Sequence, residues 1–149
     1  MTIDEYLNQL PKLKAAEIRE YDKLMTMFDR ATSTHNSAFD GMPHSKRSEN
    51  IHEIKLIEYA DTKREWEDLN KRFYEIKEQI EEAIDYLLYW EGSLIYRVYI
   101  YNIFGTRDDP LEGADEILHT NSQHIINVKL TEAKSHLRQI LINRGVELD

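Results

Sequence analysis

The sequence has no cysteine, five glycines and three prolines in 149 residues. Without cysteine there are no disulfides, thiolate nucleophiles or cysteine-based zinc fingers, which fits a reducing cytoplasm. So little glycine and proline excludes a collagen-like or Pro/Gly-rich disordered chain. Uninterrupted apolar runs extend only a few residues, too short to span a membrane. The opening residues, Met1-Thr2-Ile3-Asp4-Glu5, are acidic, with neither the basic nor the apolar region of a secretory signal. Walker loops, GxGxxG turns, nucleophile elbows and HExxH pairs are also missing.

What is abundant is charge. Lys and Arg number 19 against 28 Asp and Glu, a formal net charge of -9. That balance opposes strong non-specific binding to nucleic acid. Residues 1–92 hold 13 cations against 20 anions, and residues 93–149 hold 6 against 8. The basic stretch is 122–144, where Lys129, Lys134, Arg138 and Arg144 face Glu132 alone.

Every long segment has helical period. Across residues 3–31, Ile3, Leu7, Leu10, Tyr21, Leu24, Phe28 and Ala31 recur at three and four, with Leu13 and Ile18 beside the stripe and Lys14 and Glu17 interrupting it. Thr2 and Glu5 have capping-box spacing. Pro11 predicts a kink, or a helix that starts near it. Residues 32–47 lose all periodicity and contain Gly41 and Pro43, so they read as a loop.

Residues 48–91 read as one helix capped by Ser48, about 65 Å long at 1.5 Å per residue. Its stripe of Tyr59, Thr62, Trp66, Leu69, Phe73, Ile76, Ile80, Ala83 and Leu87 steps by alternating threes and fours, a heptad seam. The first helix, roughly 45 Å by the same rise, is its natural antiparallel partner but too short to cover it. A homodimer joined along Tyr59, Trp66, Leu69, Phe73, Ile76, Ile80 and Leu87 is therefore expected.

Gly92 ends or kinks that helix. Residues 93–104 read as helix, although their Tyr, Val and Ile also suit a strand. Asp109, Pro110 and Glu112 form a helix start. The short helix they open ends near Leu118, and His119-Thr120-Asn121 forms a turn. Ser122, or Thr120 with Gln123, caps a last helix reaching about Asn143, and Gly145 stops it.

Helix, short turn and longer basic helix make a helix-turn-helix layout. In such a motif the second helix enters the major groove. Gln123, His124 and Asn127 would then meet base edges, while Ser122 and Lys129 would lie near phosphates and Lys134 and Arg138 near phosphates or polymerase. The competing reading is an ordinary helical subdomain with a polar face. Glu49 and His52 have the spacing of a di-iron ligand pair, but no second such pair exists, since Glu132 and His136 are four apart. No metal or other cofactor is expected, and no enzyme activity. The aromatic cluster Trp90, Tyr96, Tyr99, Tyr101 and Phe104 reads as core rather than as a base-stacking platform.

Glu5-Tyr6-Leu7, Lys12-Leu13, Arg30-Ala31-Thr32-Ser33, the acidic helix ending Ile80-Glu81-Glu82-Ala83-Ile84, Leu94-Ile95-Tyr96-Arg97-Val98-Tyr99, and Ser122, Ile126 and Ala133 carry a resemblance over nearly the whole chain. They resemble RinA-type and ArpU-type late transcription regulators of phages and prophages, whose C-terminal segment is similar to region 4 of sigma factors. The segment 106–109 is longer and more acidic than the family pattern. Lys129 replaces an aliphatic residue, and Gln, His and Asn replace most recognition-helix cations. The resemblance implies a transcriptional regulator in the host cytoplasm that binds double-stranded DNA, host RNA polymerase or both; with so few recognition-helix cations, binding is expected to lean on dimerisation, on RNA polymerase, or on both. The alternative is a coiled-coil interaction protein with a degenerate turn motif.

The expected architecture is all-α: a long antiparallel helical hairpin over 1–91, then a helix-turn-helix-like domain over 92–149.

Overall fold

The structure, a computed structural model, describes residues 1–37, 46–101 and 111–149, with side chains left aside at 31–37 and 46–52. The protein is all-α, and the described residues contain no strand. In chain order the helices are α1 (Ile3–Leu7), α2 (Gln9–Ser37), α3 (Lys46–Ile84), α4 (Tyr89–Ile95), α5 (Ala114–Leu118) and α6 (Gln123–Asn143). A π-helical segment, Tyr96–Ile100, continues α4.

Packing divides the chain into an inner unit, Leu13–Lys71, and an outer unit, Met1–Lys12 with Arg72–Asp149. A boundary expected at 91/92 is thus not where packing divides the chain. Glu91 and Gly92 are buried in the outer unit, and Glu91 is tied there to His136 of α6.

Local chemistry explains most element ends. The Thr2 hydroxyl accepts from the Glu5 amide at 3.2 Å, while the Glu5 carboxylate accepts from the Thr2 amide at 2.8 Å, a closed capping box. The chain breaks at Asn8, so Pro11 falls in the first turn of α2. Amides there have no helical partner, and proline loses nothing. Helix α6 begins with the Ser122 hydroxyl accepting from the Ile125 amide. It ends in a Schellman motif: the Gly145 amide donates to the Ile142 carbonyl and the Val146 amide to the Leu141 carbonyl, both at 3.0 Å. Gly145 has φ +94°, the left-handed conformation the motif needs.

Other ends differ from the sequence reading. Helix α2 continues to Ser37, past the expected loop start at 32, and α3 begins at Lys46, so Ser48 lies inside its first turn and is not the cap. The rest of that loop, 38–45, lies outside the described residues. Helix α3 stops at Ile84, not 91. The Tyr86 amide donates to the Ala83 carbonyl and the Leu87 amide to the Ile84 carbonyl, and Leu88 is extended before α4. Leu87 therefore lies beyond the seam helix. Gly92 sits inside α4 rather than ending a helix. A Cβ there would stand 2.9 Å from Ile84 Cγ2, so its role is close approach of α4 to the end of α3. Asp109 and Pro110 lie outside the described residues. Glu112 precedes α5, whose flanking residue Gly113 is left-handed at φ 89°.

In the inner unit α2 and α3 meet at Trp66. Its indole N–H donates to the Glu17 carboxylate at 2.7 Å, and its ring lies 5.9 Å from that of Tyr21. Lys14 pairs with Glu17 at 3.1 Å. The seam on α2 thus runs through Leu13, Glu17, Glu20, Leu24 and Met27, the less exposed positions. The expected stripe members Tyr21 and Phe28, and Ile18 beside them, stay 43–52% exposed.

The outer unit holds the main core. Helix α6 buries Ile126, Leu130, Ala133, Leu137 and Leu141, one helical stripe, and packs on α1, α4 and α5. Tyr6, Leu7, Leu10, Phe73, Ile80, Ala83, Leu94 and Ile95 complete it. The wider π turn brings Ile100, five residues after Ile95, inward as well.

Candidate functional site

The turn before α6 positions the expected reading face. His119 adopts a left-handed conformation (φ 54°, ψ 39°) that ends α5. Thr120 accepts from the Ser122 amide at 3.2 Å, and Ser122 caps α6. The Ser122 hydroxyl is therefore engaged by the helix. Gln123, His124 and Asn127 stand exposed on the first turns of α6. Ile125 and Val128, 45% and 50% exposed, lie among them.

The cations expected beside this face are engaged within the chain. Lys134 pairs with Asp4 of α1 at 2.7 Å with only 18% of its side chain exposed. Burial by itself lowers its pKa. The hydrogen bond that Lys134 donates to Asp4 and the charges of Tyr99 and Asp4 outweigh it and hold the ammonium above its ordinary value. Tyr99, beside it, is pushed up by burial. The Arg138 Nε donates to the Asp149 carbonyl at 2.6 Å. Lys129 pairs with Glu132 at 3.5 Å and lies 5.1 Å from the Trp90 ring centroid. The seven expected DNA contacts therefore separate into an exposed polar trio, a capping hydroxyl and three engaged cations.

The seam is also engaged. Phe73 and Ile80 are fully buried inside the outer unit, while Tyr59, Trp66, Leu69 and Ile76 are half-buried. Phe73 and Ile80 leave no surface for a second copy, because their own chain fills the space around them.

Two features escaped the sequence reading. Glu91 is a carboxylate only 2% exposed, bonded to His136 Nδ1 across α4 and α6. Its position three and four residues before Leu94 and Ile95 was the available signal. The second is an aromatic surface. Tyr96 and Tyr101, expected in the core, are 45% and 48% exposed, and Tyr86 and Tyr89 are 70% and 91% exposed. Arg97 lies 4.9 Å from the Tyr101 ring centroid and donates to the Glu112 carbonyl at 3.4 Å. Phe104, from the same expected cluster, lies outside the described residues.

Among the described residues no three His, Asp or Glu side chains converge as a metal site requires, and no helix is long and apolar enough to cross a membrane. No family model, curated protein or solved structure matches the chain.

Proposed function

We propose that the chain is a protein–protein interaction module that associates with a second copy of itself through the inner unit, and that it carries no catalytic role. One observation carries this reading. Of sixteen buried hydrophobic side chains among the described residues, only Leu24 lies in the inner unit. Helices with so little buried apolar surface are marginal alone and gain stability by packing against a partner. The surface to pack is present: Ile18, Tyr21, Met25 and Phe28 form a three-and-four stripe on α2, and Ile54 and Ile57 stand exposed on α3. Large apolar side chains left in water on both helices are the kind of surface a partner covers. Charge favours a second copy at this place. The inner unit has ten Lys and Arg against twelve Asp and Glu, whereas the outer unit has nine against sixteen. Self-association through the near-neutral unit therefore meets the least repulsion.

Sedimentation equilibrium tests it. The expected result is a dimer at micromolar concentration and a monomer for Met25→Lys/Ile57→Lys. A monomer well above micromolar concentration sinks the reading.

A second reading is a phage-type transcriptional regulator that contacts DNA, RNA polymerase or both. The exposed trio Gln123, His124 and Asn127 after the Ser122 cap favours it, together with the resemblance to RinA-type and ArpU-type regulators. With Lys134 and Arg138 engaged, few phosphate contacts remain, so a shallow salt dependence is expected. Fluorescence titration of DNA at two salt concentrations tests it. Asn127→Ala should cost about 1–3 kcal/mol at one specific site. No binding at low salt removes direct DNA contact.

A further inference from the structure

The outer unit has an open groove of about 600 Å³ lined by Leu87, Leu88, Tyr89, Tyr96, Arg97 and Ile117, with Asp85 at its edge. A second cleft, about 340 Å³, adjoins it. The two share Tyr89, Ser93 and Ile117, and the second adds Trp90 and Glu116. The larger volume is within the range of built ligand sites, and the pair forms a continuous trough along α4.

The backbone accounts for its aromatic lining. One π turn separates Tyr96 from Tyr101, so both rings face the groove while Ile95 and Ile100 face the core. The tight turn after α3 brings Leu88 and Tyr89 to the rim. Tyr89 is 91% exposed, and a large ring left in water is what interface anchors look like before a partner arrives.

The chemistry of the partner follows from charge. Three aromatic rings in this unit already hold a cation: Tyr101 holds Arg97, Trp90 holds Lys129, and Tyr86 holds Arg144 at 5.7 Å. The Tyr89 ring has no such cation among the described residues. Asp85 and Glu116, both exposed, are in no ion pair among the described residues. Arg97, the one cation among the described residues of the lining, is occupied. Its guanidinium lies against Tyr101 and so close to Gly113 that a Cβ there would meet it at 2.5 Å. An anionic ligand would therefore find no free cation among the described residues of the groove, and the outer unit's excess of carboxylates repels it.

We propose that this groove docks a basic amphipathic segment of another protein, its aliphatic side chains on Leu87, Leu88 and Ile117 and a lysine or arginine over the Tyr89 ring, paired with Asp85 or Glu116. A cation on an aromatic face gains from the ring quadrupole, and the two carboxylates fix where it sits. The proposal extends the interaction-module reading to a second surface and a second kind of partner.

The test uses the whole chain, immobilised, to select from a displayed library of random sixteen-residue peptides. Selected peptides are then titrated against four proteins by fluorescence anisotropy. The expected consensus carries Lys or Arg between aliphatic residues at helical spacing. Affinity should fall at least tenfold for Tyr89→Ala and for Asp85→Lys/Glu116→Lys, exposed positions whose variants should keep the wild-type circular dichroism and melting temperature. It should stay unchanged for Met25→Lys/Ile57→Lys. An acidic or uncharged consensus, no enrichment at all, or peptides that bind the groove variants as tightly as wild type would overturn the proposal. Peptide binding retained by a chain that never dimerises would instead overturn the self-association reading alone.

Discussion

A carboxylate 2% exposed can persist only with a partner, and Glu91 has His136. Removing one member of a buried pair leaves the other's desolvation uncompensated. His136 is half-exposed, so water softens the loss when the histidine goes. His136→Ala should cost about 2–3 kcal/mol in urea denaturation, and adding Glu91→Leu should recover part of it. Equal stability of wild type and His136→Ala would show that Glu91 draws its support from elsewhere. Lys134 and Tyr99 set a second residue-scale expectation, at alkaline pH. Both groups have folded-state pKa values above their ordinary 10.5 and 10.0. The protonated forms are thus favoured by folding, and that stability is complete below about pH 10 and lost as pH rises through the folded values. The melting temperature of the wild type should fall more steeply between pH 9 and 11.5 than that of Tyr99→Phe. Parallel curves would remove the cluster from the alkaline response. None of these pairings could be read from sequence. Asp4 and Lys134 are 130 residues apart, and only the packing of α1 on α6 joins them.

At the scale of elements, period and end chemistry were readable wherever they acted locally. The seam from Tyr59 to Ala83 is the less exposed face of α3, because a heptad pattern with charged flanks has one favourable orientation. The Thr2 capping box, the Ser122 cap and the Gly145 stop were legible for the same reason. The break between Ile84 and Tyr89 was not, since Asp85, Tyr86, Leu87 and Leu88 include neither glycine nor proline. Gly92, expected to mark it, instead serves close packing against Ile84. Gly92→Ala tests that role. Its Cβ would lie 2.9 Å from Ile84 Cγ2, an overpacking that should cost about 1–3 kcal/mol, and Ile84→Leu, which removes that Cγ2 methyl, should relieve it in the same chain. A melting temperature unchanged by Gly92→Ala would place slack where the structure has contact. The seam has its own contrast: Ile80→Ala should cost about 2–5 kcal/mol, while Leu56→Ala, at a 67% exposed position, should stay within about 0.5 kcal/mol in the monomeric Met25→Lys/Ile57→Lys background. The α2 stripe differs from the periodicity reading because buried Glu17, paired with the half-buried Lys14, is part of the seam, and no periodicity argument assigns a charged residue to a core.

The whole molecule distributes its stabilising surface unevenly. Helices α2 and α3 each have residues in both units, yet among the described residues fifteen of the sixteen buried hydrophobic side chains belong to the outer one. Local opening free energy follows buried apolar contact. The amides of Leu13–Ser37 and Lys46–Lys71 should therefore exchange faster in the monomer than those of α6. This imbalance also separates self-association from mere instability. If a second copy covers the inner unit, mass action adds its binding free energy to every opening that breaks the interface. A tenfold rise in protein concentration across the dissociation constant should then slow exchange through the inner unit by up to tenfold, about 1.4 kcal/mol. Exchange in α6, governed by its own core of Ile126, Leu130, Ala133, Leu137 and Leu141, should not change. Hydrogen exchange read by mass spectrometry at several concentrations measures both halves in one sample. Met25→Lys/Ile57→Lys should abolish the concentration dependence while leaving α6 unchanged. A protection pattern that is the same at every concentration would mean that the thin inner core stands without a second copy, and the exposed stripe on α2 would then need a different partner.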